Sequence, residues 1–373
     1  MWIPQWVWNR SSRATGREKD EESCEFQTSA SRHPIVPDVE TARDGVPFTG
    51  PVPPVKTGAV TIPTDGSLVV RAENKIFRVS GAVLAARSSV FQDMLAFPQP
   101  GSLTSEVESL DGVPLVELHD LAEEVEPFLR AIFDSSFFMP PPSSNVLSDI
   151  LAILRLSHKY DIQYLHRRAL DHLSNIFPTE LMVFLQHLNT FPDGFDVLKT
   201  SADAHLEILR VMHEVNSLWL LPAAYSRASK CLPERLFVAP SWPHLPDAIK
   251  AKLHIAHAHQ ARHIIAIVHA VGGQHDNTTC IAPETCPGEI LSVVTALLEQ
   301  VGQVEMEFNF FDVKDIFLPE VWQDLGEPMC ATCLAHRAEQ VSLNMQKVWD
   351  GLPANLGLPP WEELRAMRNI AMG

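Results

Sequence analysis

Three things are scarce in this chain. No apolar run is long enough to span a bilayer, only six of the 373 residues are cysteine, and cationic residues hardly cluster. The first shortage excludes a membrane-spanning helix. The second excludes a disulfide framework, because a few irregularly spaced thiols cannot staple a secreted scaffold, and it points to a reducing compartment, cytosol or nucleus. The third leaves Arg167-Arg168 as the one dense basic pair. With a formal charge of −17, the chain is expected to repel both nucleic acid and anionic membrane, so neither is an expected partner.

Catalytic signatures are missing as well. There is no GxSxG, no P-loop, no dinucleotide-binding glycine pattern and no HExxH. His213-Glu214 lacks the second histidine of a zinc protease, and His119-Asp120 reads as a turn rather than an acid–base pair. The expectation is a protein that is not an enzyme. Repeats that would name a partner class (kelch, ankyrin, zinc finger) are not seen either.

What the chain has is apolar substance: 46% hydrophobic residues over a length that suits two domains. Residues 1–58 are set apart by composition. Charged and Ser/Thr-rich sequence from Ser11 to Ser31 gives way to Pro47, Pro51, Pro53 and Pro54, which predicts a disordered tail. Met1–Arg10, with Trp2, Trp6 and Trp8, is too short and too interrupted to be a signal peptide; a docking motif or a loose start are its two readings.

Order is expected from about residue 60 to 178. Asp65-Gly66 marks a turn. Leu68–Arg71 and Lys75–Val79 predict two strands of a hairpin around Ala72-Glu73-Asn74. Ser80 and Ser88 can each cap a short helix, through Ala86 and Leu95, the second with Val90, Phe91, Met94 and Leu95 as its apolar stripe. Residues 97–113 predict a loop and Pro114–Leu118 a strand. Helices follow at Ala122–Phe133, Val146–Tyr160 and Ile162–Phe177, the first with Val125, Phe128, Leu129 and Ile132 at i, i+3, i+4 and i+7. The order strand, strand, helix, helix, strand and three helices is an α+β unit with helices packed on a small sheet.

These residues resemble the BTB/POZ domain. The likeness is carried by Asp65–Val70, by Ile76-Phe77-Arg78-Val79, by Val83–Leu95 and by the Leu154–Ile162 junction containing Lys159-Tyr160. Its motif positions here are Leu68, Val70, Phe77, Val79, Val83, Leu84, Ser88, Phe91, Met94 and Tyr160. More narrowly, Phe133–Phe138 with its trailing prolines, Leu218–Pro222 and Gly357–Trp361 are similar to BTB proteins present in many copies in mushroom-forming fungi. The resemblance implies homodimerisation, protein partners and a role as a cullin-3 ubiquitin ligase adaptor. In repressor-type members an acid on the first strand and a His-plus-base after Phe-x-Val form a charged pocket. Ser67, Ser80 and Gly81 stand at those places here.

Residues 179–373 are expected to be mostly helical: Glu180–Leu188, Ala202–Val215, Leu218–Lys230, Pro246–Ala270, Gly288–Val301 and Cys330–Trp349. Val304–Phe311 alternates like a strand. Leu218, Trp219 and Leu220 are core candidates. Two clusters could hold metal. His254, His257, His259, His263 and His269 share one helix, with His259 and His263 on one face; a packed or solvated His-rich helix is the other reading. Cys280, Cys286, Cys330 and Cys333 form two pairs, with five and two residues between their members and 43 between the pairs. They are either ligands of a structural zinc or ordinary buried thiols. No other cofactor is expected. The function expected is an interaction adaptor or scaffold. The alternatives are a transcriptional or chromatin regulator and a metal-dependent enzyme built on the His-rich helix.

Overall fold

The structure, a computed structural model, describes residues 67–96, 109–110, 113–188, 191–273, 279–302, 309–315 and 329–373. The expected tail with its tryptophans, most of the expected 97–113 loop and residues 304–308 of the expected strand lie outside them. All the described residues belong to one compact unit, Thr57–Gly373.

The N-terminal part is built on a four-stranded sheet in the order β2-β1-β4-β3. β1 (Ser67–Ala72) and β2 (Lys75–Ser80) form the predicted hairpin, with Leu68 opposite Val79 and Val70 opposite Phe77. β4 (Val113–Leu118) lies parallel to β1 on its other side. β1 is thus a central strand, and Leu68, Val69 and Val70 are buried in succession rather than alternately. β3, Ser109–Leu110, pairs with Val113 and Pro114. It corrects the expectation of an uninterrupted loop; two residues are too few to show a period in sequence.

Ser80 and Ser88 behave as the sequence predicts. Ser80 Oγ accepts from Val83 N at the start of α1 (Gly81–Arg87), and Ser88 Oγ accepts from Phe91 N at the start of α2 (Ser89–Ala96). α3 (Ala122–Phe133), α4 (Leu147–Lys159) and α5 (Gln163–Ile176) follow, α4 packing between the other two. α3 has no cap of its own. Glu73, held at φ 49° in the β1–β2 turn, supplies one by accepting from Ala122 N at 2.9 Å.

The rest is helical: α6 (Leu181–Gln186), α7 (Ala202–Glu214), α8 (Leu221–Ala228), α9 (Pro233–Phe237), α10 (Asp247–Gly272), α11 (Cys286–Gly302), α12 (Ala331–Asn355) and α13 (Trp361–Met372). Two expectations need correction, and two helices are additional to those expected. The single helix over Leu218–Lys230 is a 3-10 turn, Leu218–Leu220, running into α8, with Pro222 in the first helical turn. α9 and α13 were not anticipated. The described end of the expected strand is a 3-10 turn, Phe310–Asp315, because Asn309 folds back on itself: its Oδ1 accepts from Phe311 N.

An aromatic core joins the distant parts of this region. Trp361 stacks on Trp349 with centroids 5.0 Å apart and donates to the Trp349 carbonyl at 2.8 Å. Phe184 and Phe311 complete the cluster.

Candidate functional sites

The motif positions of the N-terminal part converge on one core. Leu68, Val70, Phe77, Val79, Leu84, Ser88, Phe91 and Tyr160 are all buried. Tyr160 is the centre of it. Its ring stacks on Phe91 at 4.7 Å and lies 5.7 Å from Phe128, so α2, α3 and the end of α4 meet there. Its hydroxyl donates to Asp120, and its carbonyl accepts from Ser88 Oγ. Burial, then the Asp120 carboxylate, raises the phenol far above its ordinary range. Asp120 also takes a 2.6 Å ion pair from Lys159. The expected His119-Asp120 turn therefore has a structural job that sequence alone did not reveal: it anchors the Lys-Tyr junction to the end of β4.

Two motif positions differ from expectation. Val83 is exposed and Met94 is only half-buried. α1 is too short to bury more than one edge, and Gly81 and Leu84 already fill it. On α2 only Phe91 is fully buried, and Leu95, expected in the apolar stripe, is exposed.

Ser67 and Ser80 are direct cross-strand partners at the open end of the hairpin. Both carry hydroxyls, and Ser80 Oγ is engaged in capping α1.

A small sheet with a helical pair between its strands and three helices after it is an α+β architecture. The BTB/POZ domain family model matches residues 61–176, so this segment is a BTB/POZ domain, a module that mediates protein–protein interaction. No curated protein and no solved structure matches the chain.

The domain is locked to the helices that follow it. Arg155 on α4 pairs with Glu124 on α3 at 2.8 Å and Glu214 on α7 at 2.7 Å. Arg227 on α8 is fully buried and donates to the carbonyls of Ile176, His187 and Leu188, where α5 and α6 end. Those carbonyls have no helical partners, and a guanidinium fork is a fitting cap for them. Burial lowers the Arg227 pKa to about 9, opposed by the charge of Asp312. α13 packs back on α5, and Arg365 donates to Thr179 O at 3.2 Å.

The histidines of α10 do not gather. His259 and His263 lie one turn apart with rings 5.9 Å from each other, but His263 packs edge-on against Phe310 and His254 packs against Phe237 and Trp242. His257 is half-buried and His269 is exposed. Burial lowers the pKa of His257 and of His263 to about 4. No third ligand joins the pair among the described residues.

The four cysteines do gather. Cys280 lies in the loop after α10, Cys286 opens α11, Cys330 is the N-cap of α12 and Cys333 lies in its first turn. Their Sγ atoms all lie within 4.8 Å of one another, and Cys280 and Cys330 are 3.9 Å apart, sulfur to sulfur. Cys280, Cys286 and Cys333 are buried and Cys330 is partly exposed. Cys330 N donates to Cys286 Sγ at 3.3 Å. The wide sequence gap between the pairs is spanned because α11 and α12 both pack against α10.

Proposed function

We propose that the chain is an interaction adaptor or scaffold that self-associates through its BTB/POZ domain and presents residues 179–373 as a second binding surface, with cullin-3 as the partner that would make it a ubiquitin ligase adaptor. The observation that supports this reading is the BTB/POZ domain itself, matched by its family model and with eight of its ten motif positions buried. Two features refine it. Ser67, Ser80 and Gly81 carry no charge at the places where the resemblance would put the repressor-type pocket, which speaks against repressor-style recruitment. Val83 and Leu95 on the α1–α2 pair are apolar and exposed, which suits them to a contact between copies. No catalytic residue is assigned.

The test uses the purified full chain. Light scattering should give twice the 41.5 kDa chain mass, and Val83→Asp with Leu95→Asp should return it to one. Titration with purified cullin-3 should then give saturable binding. A wild-type monomer that binds no cullin-3 would sink the reading; a dimer that binds none would leave a self-associating scaffold and remove the ligase role.

A further inference from the structure

We infer that Cys280, Cys286, Cys330 and Cys333 hold one structural zinc ion. Tetrahedral zinc with Zn–S bonds of about 2.3 Å sets the sulfur–sulfur edge at about 3.8 Å. The 3.9 Å between Cys280 and Cys330 matches that edge, and every sulfur lies within 4.8 Å of the other three, close enough for one ion to draw them in. A disulfide needs a sulfur–sulfur bond of about 2.05 Å. Ordinary buried thiols pack against apolar neighbours or carbonyls and have no reason to turn four sulfurs toward one point.

The surroundings have the features of a metal site rather than of a packing accident. The set is all thiolate, which selects a soft, tetrahedral ion. The backbone N–H of Cys330 donates to Cys286 Sγ, one of the N–H to sulfur bonds that orient thiolate ligands. A zinc tetrathiolate carries two net negative charges, and the site is built to receive them. Cys286 stands at the N-terminus of α11, and Cys330 and Cys333 stand at that of α12. Arg337, one turn beyond Cys333 and buried, brings a cation beside it while donating to Ala270 O at 3.1 Å and Gly273 O at 3.0 Å.

Four protein ligands close the coordination sphere, so the ion has no open position for substrate and its role is to hold chain to chain. It would tie the loop after α10 to the starts of α11 and α12, while Arg337 caps the end of α10. The need for such a staple is visible in α11, which buries Ile290, Val293 and Leu297 but leaves Leu291 and Leu298 exposed. A seam that narrow anchors a helix weakly without a cross-link. The inference is independent of the adaptor reading, since neither result of the dimer and cullin tests bears on metal content.

The experiment is metal analysis of the full chain, purified in reducing buffer without added metal or chelator. One zinc per chain is expected, kept in the double variant His259→Ala/His263→Ala and lost in Cys330→Ser/Cys333→Ser. A cysteine variant that fails to fold would be uninformative, so two measurements are made on wild type. A mercurial that caps thiols should release the zinc stoichiometrically, and cobalt exchanged into the site should show the visible absorption of a tetrahedral tetrathiolate. Absence of stoichiometric zinc, a disulfide among the four cysteines, iron in place of zinc, or zinc lost with the histidines rather than the cysteines would each overturn the inference.

Discussion

Asp120 is buried between two donors, the Tyr160 hydroxyl and the Lys159 ammonium. Removing the first leaves a buried carboxylate oxygen without its partner, which costs about 1–3 kcal/mol. Tyr160→Phe should lower the denaturant midpoint accordingly, and Tyr160→Phe with Asp120→Asn should cost less than the sum of the two, because the second change removes the orphaned charge. His205 carries a different residue-scale effect. Burial, opposed by its bond to the Leu198 carbonyl, brings its pKa down to about 4. As pH falls below the unfolded value near 6.5, the unfolded chain takes up a proton that the folded chain refuses. The stability present above that pH is therefore lost progressively down to about pH 4, by about 3 kcal/mol for the full shift. Melting curves taken across that window should show the decline, and His205→Gln should make it shallower, leaving the share carried by His257 and His263.

At the scale of elements, how the helices end decides where they point. α4, α7 and α12 all stop on a left-handed residue, Asp161, Asn216 and Gly357, and each then closes a bond back across the last turn: Ile162 N to Ser157 O, Ser217 N to Met212 O, Leu358 N to Pro353 O. The entry to α4 depends on Gly194. Its φ is 91°, its carbonyl accepts from Leu147 N, and a Cβ there would meet Asn145 O at 2.1 Å. Gly194→Ala cannot be accommodated without moving backbone, and it should destabilise the chain beyond the ~1–2 kcal/mol of a left-handed alanine alone. Arg227 joins elements in the same way. Arg227→Ala orphans three carbonyls at the ends of α5 and α6, and an unfolding curve should show a loss of at least about 3 kcal/mol, at about 1–3 kcal/mol for each buried group left unpaired. Arg227→Lys should recover only part of it, since an ammonium lacks the planar fork.

Across the whole molecule, the BTB/POZ domain and the helical region share contacts that neither could make alone. α13 rests on α5 and on Leu218–Leu220, and Arg155 spans α3, α4 and α7. Trp361→Ala should therefore lower the midpoint of a transition common to both regions, by about 3–5 kcal/mol if the site does not collapse. Calorimetry showing two separated transitions, with only one of them moved, would mean that the regions unfold independently.

Local pattern determined most of the BTB/POZ segment. The serine caps, the apolar spacing of α3 and the polar turn between β1 and β2 act over a few residues, so they are written in order along the chain, and the motif core from Leu68 to Tyr160 was legible with them. Tertiary structure decided what depends on residues far apart. Val83 faces outward because α1 has only one edge to bury. Asp120 is an anchor because α4 ends beside β4. Arg227 has its role because two helices end against it. The cysteine pairs, 43 residues apart in sequence, meet because α11 and α12 fold onto the same helix. Spacing could nominate those four thiols, but only packing could bring their sulfurs to one point, since convergence is a property of three dimensions and not of the interval between residues.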